Sequence, residues 1–186
     1  MRLNRLIVLL IGLILAPGCA TDPSVTGAVH TELVSPYRLD SGDRVRVIVF
    51  GQPELSNAYV VDQGGVISMP LIGAIEARGR TTAEIEAAVG ARLRAGYLRS
   101  PDVSVEIDRY RPFFVMGEVG AAGQYSFVPG MTVQQAIAVA GGFTPRAEKN
   151  AILVTRSIGG AVGTDLLGLS DPVAPGDTLY VRERLF

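Results

Sequence analysis

Apolar and polar residues alternate along several short segments of this chain. In residues 44–50, three valines alternate with arginines and an isoleucine, and in residues 103–108 apolar residues alternate with serine, glutamate and aspartate. A period of two predicts β-strands with one buried face. Residues 59–61 and 65–69 are predicted as a second pair of strands, connected by residues 62–65. An extended segment over 70–76 follows, and the other predicted strands cover residues 113–116, 124–128, 152–155, 165–167 and 178–182.

Two further segments carry apolar residues at helical spacing. Thr81 precedes the first of them and Thr132 precedes the second. Glu84 or Gln135 follows three residues later, which predicts a capping box that satisfies free backbone donors at the start of a helix. Behind each cap the apolar residues form one stripe that faces a core, made of Ile85, Val89 and Leu93 in the first helix and Val133, Ile137 and Ala140 in the second.

The order of the predicted elements repeats along the chain. A Gly-Asp turn directly precedes a predicted strand at Ser41–Asp43 and again at Pro175–Asp177. Each half of the chain also combines strands with one capped helix. Strands grouped around single helices predict an α+β fold made of two small units. We place the first unit at residues 37–111 and the second at residues 112–186.

The N-terminus has the organisation of a secretory signal. Arg2 and Arg5 precede an apolar run over residues 6–16, which Pro17 and Gly18 end directly before Cys19. A transmembrane helix needs about 20 apolar residues, roughly twice the length of this run. A plain secretory signal would leave the one cysteine of the chain as a free thiol in an oxidising compartment.

The same residues resemble the lipobox of bacterial lipoproteins, which ends in a small residue followed by cysteine. The resemblance implies cleavage between Gly18 and Cys19, a signal peptide over residues 1–18, and acyl chains on Cys19. The chain departs from the usual pattern at Ala16, where leucine is common, and an uncleaved anchor is the alternative. Ala20, rather than aspartate, after the cysteine points to the outer membrane. Residues 19–36 are predicted to be a tether between the lipid and the fold.

The composition and net charge of the chain exclude some classes of function. Removal of residues 1–18 leaves 168 residues with 15 basic and 18 acidic side chains, a formal net charge of −3. A weakly acidic chain without basic clusters is a poor binder of nucleic acid. The single histidine, His30, lies in the tether, and Cys19 is predicted to carry lipid, which excludes zinc sites built from cysteine and histidine. We predict no cofactor and no metal.

The sequence contains no catalytic constellation, and we predict that the protein is not an enzyme. Asp102, Glu106 and Asp108 resemble paired carboxylates for glycoside cleavage, but they alternate with predicted core residues, which favours a solvated strand face. Four arginines are candidates for lining a path for an acidic polymer: Arg44, Arg46, Arg109 and Arg111. The favoured interpretation is that they lie on exposed strand faces and protect sheet edges from pairing with other chains.

In their order, these motifs resemble the outer-membrane polysaccharide export family. The family pattern Tyr-x-Leu-x-x-Gly-Asp-x-Leu-x-Ile-x-Val corresponds to Tyr37–Val49. Further matches in the first unit are Val60–Gly73, Thr81–Glu84 and Pro101–Val105. The second unit is similar to the soluble-ligand-binding β-grasp module, through Val115–Val119, Gly123–Tyr125, the helix after Thr132, Ala140–Gly142 and Pro175–Asp177.

The resemblance implies export of capsular or extracellular polysaccharide across the outer membrane of a Gram-negative bacterium, by a periplasm-facing lipoprotein that forms a homo-oligomeric ring. The implied partners are the polysaccharide cargo and an inner-membrane polysaccharide co-polymerase. Long family members add a second β-grasp module and a C-terminal amphipathic helix that forms a pore. This chain stops at Phe186, so we expect a short form that works with a separate outer-membrane β-barrel.

Two other functions remain open at this point. The first is a periplasmic lipoprotein that binds a soluble glycan or a partner through its β-grasp unit without forming a conduit. The second, which the sequence supports less, is a secreted hydrolase.

Overall fold

The computed structural model describes residues 36–158 and 161–184 of the chain. Residues 1–35, which hold the predicted signal peptide and nearly all of the predicted tether, lie outside this range. The described elements begin with β1 (Arg44–Val49), β2 (Asn57–Val60), β3 (Val66–Met69), β4 (Gly73–Glu76), α1 (Thr82–Arg94) and β5 (Val103–Arg109). They continue with β6 (Phe113–Gly117), β7 (Gly123–Tyr125), α2 (Val133–Val139), β8 (Ile152–Ile158), β9 (Ala161–Leu167) and β10 (Thr178–Val181). The predicted α+β fold class is confirmed.

The first half of the fold is built around β1. This strand lies between β2 and β5 and is antiparallel to both. Its three valines are fully buried, as its alternating pattern predicts, because that face packs on α1 and on the hairpin of β3 and β4. The buried stripe of α1 consists of Ile85, Val89 and Leu93.

One predicted pairing is wrong. Residues 59–61 and 65–69 do not pair with each other across residues 62–65. Instead, β2 pairs with β1, and β3 pairs with β4 in a separate two-stranded sheet. The turn between β3 and β4 contains Leu71 at a φ of 66°, so residues 70–76 are a turn and a strand and not one extended segment.

Both predicted capping boxes are present. Thr81 accepts a hydrogen bond from the Glu84 backbone N–H at 3.2 Å, and the Glu84 side chain accepts one from the Thr81 backbone N–H at 2.7 Å. The backbone hydrogen bond from Thr81 lowers the pKa of Glu84. Thr132 and Gln135 make the same reciprocal pair at the start of α2. The two caps therefore fix where each helix begins.

The second half of the fold is a five-stranded sheet in the order β7-β6-β10-β8-β9. β6 and β10 are parallel, and the other pairs are antiparallel. One face of this sheet packs on α2 through a core that includes Phe113, Val115, Ile137 and Leu179. β8 and β9 form a long hairpin, so the return strand predicted over residues 165–167 begins earlier, at Ala161.

Gly117 is required where β6 ends. Its φ is +87°, and a Cβ at this position would overlap the backbone carbonyl oxygen of Val181 on β10. Gly130 has a similar φ of +79° but no atom within 4 Å of the corresponding position. Gly117→Ala is expected to lower the free energy of unfolding by about 3 kcal/mol or more, since backbone atoms must move.

Gly130→Ala is the matched control for this prediction. It carries the cost of a positive φ alone, about 1–2 kcal/mol, so the difference between the two variants measures the overlap at β10. Chemical denaturation of both variants gives the two values. Equal losses of stability would contradict the role assigned to Gly117.

Candidate functional site

The residues predicted for lipidation and cleavage, Gly18 and Cys19, lie outside the described residues, as does His30. Their roles therefore stay predictions. Within residues 36–158 and 161–184 there is no group of three or more histidine, cysteine, aspartate or glutamate side chains that could hold a metal ion. Over the same range, no helix is long and apolar enough to cross a membrane.

Asp43, at the end of the first Gly-Asp turn, is a fully buried carboxylate. It accepts hydrogen bonds from the backbone N–H of Asp40 at 2.8 Å and from the phenol of Tyr37 at 2.7 Å. Arg111 adds two more, from its backbone N–H at 2.8 Å and from its Nη1 at 3.1 Å. A buried charge needs this degree of pairing because its desolvation is costly.

Asp177, at the end of the second Gly-Asp turn, repeats this arrangement. It is also fully buried and accepts from the backbone N–H of Ala174, three residues earlier, at 2.7 Å. Its guanidinium partner is Arg156, whose Nε and Nη2 each lie 2.8 Å from a carboxylate oxygen. The two Gly-Asp turns that recur in the sequence therefore have equivalent structures. In each turn a buried aspartate pairs with an arginine.

Arg111 touches both turns. A Cβ on Gly42 would lie 3.4 Å from the Cβ of Arg111, and a Cβ on Gly176 would lie 2.6 Å from its Nε. The next residue, Pro112, accepts a hydrogen bond from the backbone N–H of Gly176 at 3.1 Å. Arg111 thus joins the two halves of the fold at the boundary predicted from the sequence, although that boundary itself stays a prediction.

We call the contact of Arg111 with both Gly-Asp turns the joint. Three aromatic rings extend it. Tyr110 lies between Tyr37 and Phe127, with ring centroids 5.0 Å and 5.4 Å away and edge-to-face geometry in both pairs. Burial, followed by the hydrogen bond to Asp43, raises the pKa of Tyr37. Its phenol therefore stays a neutral donor to Asp43 and accepts from Arg111 Nη1 at 2.9 Å. The joint contains charges that satisfy one another, which suits a fixed connection between the two halves and not acid–base chemistry.

Two of the other arginines considered as a polymer path are paired on the sheet surface. Arg44 Nε and Arg46 Nη2 each lie 2.7 Å from a carboxylate oxygen of Asp108. The hydrogen bond from Arg46, with the charge of Arg44, lowers the pKa of Asp108. On the strand face predicted to be solvated, Glu106 is exposed, whereas the two arginines partly cover Asp108 and leave its side chain 15% exposed. A carboxylate held ionised in this way is unsuited to act as a general acid.

The outer face of the five-stranded sheet, opposite α2, is uncharged and largely exposed along two rows of side chains. Strand register places Met116, Tyr180, Leu153 and Leu166 in one row across β6, β10, β8 and β9. Met116 and Leu166 are each 50% exposed and Tyr180 is 44% exposed. Phe114, Thr178, Thr155 and Thr164 form the neighbouring row. Neither row contains a charged residue, a composition that is typical of the centre of a protein interface.

A cavity of about 420 Å³ lies beside the hairpin of β8 and β9. Its lining is mainly apolar and consists of Val154, Arg156, Ala161, Val162, Gly163, Thr164, Asp165 and Leu167. This volume is within the range of small-molecule sites, roughly 300–1,000 Å³. The sequence analysis did not predict this cavity, because its lining comes from the pairing of two strands, β8 and β9.

Two family models match the chain. The model described as "Polysaccharide biosynthesis/export protein" matches residues 31–108, and the model described as "SLBB domain" matches residues 112–164. The joint at Arg111 lies between the two matched ranges. The first range contains Asp43 and its turn.

Several curated proteins are similar to the chain. Exopolysaccharide production protein ExoF of Rhizobium meliloti (strain 1021) is 33% identical over 118 residues, which cover 57% of this chain and 28% of the relative. EPS I polysaccharide export outer membrane protein EpsA of Ralstonia solanacearum is 33% identical over 150 residues, 66% of this chain and 39% of the relative. Polysialic acid transport protein KpsD of Escherichia coli is 25% identical over 179 residues, 90% of this chain and 31% of the relative. The chain therefore spans less than half the length of each of these relatives.

Proposed function

Because this chain belongs to the polysaccharide biosynthesis/export family, we propose that it exports capsular or extracellular polysaccharide across the outer membrane. The observation that carries the proposal is the succession of an export domain at residues 31–108 and an SLBB domain at residues 112–164. Relatives of this chain are named for exopolysaccharide production, polysaccharide export and polysialic acid transport. In this proposal the protein has a transport role and catalyses no reaction.

The place of action is the periplasmic side of the outer membrane. A relative from Ralstonia is named an outer membrane protein, and the lipobox-like sequence ending at Gly18 and Cys19 supports cleavage and lipidation. Two or more acyl chains anchor a protein stably, whereas one chain binds a membrane only marginally. The tether predicted over residues 19–36 would then connect the lipid to the folded residues.

Assembly into a homo-oligomeric ring is the second part of the proposal. The uncharged outer face of the five-stranded sheet, with Met116, Tyr180 and Leu166 exposed, supports a surface that another protein covers. The fixed joint at Arg111 supports it too, because a ring repeats one orientation of both halves in every subunit. An inner-membrane co-polymerase and a separate outer-membrane β-barrel are the proposed partners on either side of the ring.

Deletion of the coding sequence tests the export function. We expect the deletion strain to lose most of its surface polysaccharide and to accumulate polymer in the periplasm, since synthesis continues while passage is blocked. Surface polymer and periplasmic polymer are measured separately, and restoration of the intact chain is the control. Unchanged surface polymer would contradict the export function.

One observation favours a second function. The cavity of about 420 Å³ beside β8 and β9 is large enough for a sugar-sized ligand. In this alternative the protein is a periplasmic lipoprotein that binds a glycan or a partner without forming a conduit. Normal surface polymer in the deletion strain, together with a purified chain that forms no ring in detergent, is the result that this alternative predicts.

A further inference from the structure

Strand β9 is an open edge of the five-stranded sheet. It covers Ala161–Leu167, pairs with β8 on one side only, and all of its residues except the last are exposed. An edge strand presents unpaired backbone groups, and proteins usually protect such edges by short length, proline, lysine or a bulge. β9 contains no proline, lysine or arginine, and Asp165 is its one charged residue.

The other sheet edges in the described part of the chain are short or charged. β7 has three residues, and β2, β3 and β4 have four each. β5 is as long as β9 but carries three charged residues, Glu106, Asp108 and Arg109, of which Glu106 and Arg109 are exposed. Among the described edge strands, β9 is therefore the one that is long and has few residues that protect it from pairing with another strand.

Strand register identifies the backbone groups that point away from the sheet. Ile158 and Ala161 flank a two-residue connection, which makes them a hydrogen-bonded pair, and the pairing then alternates along the hairpin. The backbone groups of Val162, Thr164 and Leu166 consequently point outward. The Leu166 N–H donates to Oδ1 of Asp165 at 2.8 Å, an exposed bond that another strand can replace.

We propose that β9 pairs with β9 of a second copy of this chain, antiparallel and centred on Thr164. The outward-facing groups of the two strands then satisfy each other in one continuous sheet. Val162 lies opposite Leu166 of the second copy, which pairs two exposed apolar side chains. Asp165 lies opposite Gly163 of the second copy, so the pairing places no like charges directly against each other. The outer faces of both sheets merge into one larger uncharged surface.

This contact goes beyond the proposed function and does not depend on it. A two-fold contact uses the same surface on both chains and closes after two copies, whereas a ring requires a contact between two different surfaces. Export can therefore fail its test while the pairing holds, and the reverse is also possible.

Cysteine cross-linking of the full chain in detergent tests the pairing and its register. In the pair, the two Thr164 Cα atoms are about 5.5 Å apart, which is within disulfide reach. Thr164→Cys should therefore form a disulfide-linked dimer under mild oxidation. Gln134→Cys, at an exposed position on α2, is the matched control, and the unaltered chain gives the background from Cys19.

A mixture of Val162→Cys and Leu166→Cys chains, carrying tags of different size, adds a test of direction. The two-fold register predicts that the mixed dimer forms about tenfold faster than either self-linked dimer, because identical positions are about 14 Å apart along the strand. The readout is the band pattern on a denaturing gel, which is independent of any ring. The proposal is overturned if Thr164→Cys links no faster than Gln134→Cys, or if Val162→Cys links to itself as fast as to Leu166→Cys.

Discussion

Replacement of Cys19 by serine is expected to release the protein from the outer membrane and to abolish polysaccharide export. Serine cannot form the thioether that attaches the lipid, and each buried methylene of an acyl chain contributes about 0.8 kcal/mol of membrane affinity. The two core clusters described in the structure are built from residues between Leu39 and Val105 and between Phe113 and Val181, so both halves should fold as before. Membrane and soluble fractions are compared by immunoblot, and surface polymer is measured in the same cells.

Ala20→Ser is the control for this experiment. It places the same side chain one residue later and leaves Cys19 available, so it should keep the protein in the membrane fraction. A Cys19→Ser protein that remains in the outer membrane would mean that another part of the molecule anchors it. Released protein with normal export would separate lipidation from transport.

Arg111→Ala is expected to cost about 3 kcal/mol of the free energy of unfolding. Arg111 is only 17% exposed, and its partner Asp43 is fully buried. Truncation leaves a buried carboxylate without its counter-ion, which is the expensive way to break a buried pair. It also removes the side chain that lies against Gly42 and Gly176, so both halves of the fold lose a shared contact. Chemical denaturation measures the change.

Two other variants sharpen this prediction. Arg109→Ala removes the same side chain two residues earlier, at an exposed position, and should change stability by less than about 0.5 kcal/mol. Arg111→Lys keeps the charge but loses the planar guanidinium, so its stability should fall between those of the alanine variant and the unaltered chain. Similar losses for Arg109→Ala and Arg111→Ala would show that the joint does not depend on the buried pair.

Features that depend on neighbouring residues could be predicted from the sequence. The buried face of β1 follows from its three alternating valines, and the starts of both helices follow from Thr81 and Thr132 with their partners three residues later. These are interactions across a few residues, for which spacing alone fixes the geometry. The two Gly-Asp turns could be recognised for the same reason.

Strand partners could not be predicted in the same way. Residues 59–61 and 65–69 look like a hairpin because they are close in sequence, but β1 offers the longer apolar surface and takes β2 as its neighbour. Asp108 alternates with core residues, a pattern that predicts a solvated side chain, but it does not predict that Arg44 and Arg46 on the adjacent strand pair with Asp108 and partly cover it. Both outcomes depend on which strand lies alongside, which local pattern does not encode.

The sequence by itself indicated the fold class, the starts of both capped helices and the resemblance to the polysaccharide export family, and it predicts a lipid on Cys19, because each of these rests on short motifs along the chain. Only the tertiary structure decided that Asp43 and Asp177 are buried, that Arg111 touches both of their turns, and that β9 is left as an open edge. Those features arise where residues far apart in sequence come together in the fold. The free-energy cost of burying a charge or of leaving a backbone group unpaired depends on these spatial neighbours and not on the neighbours along the chain.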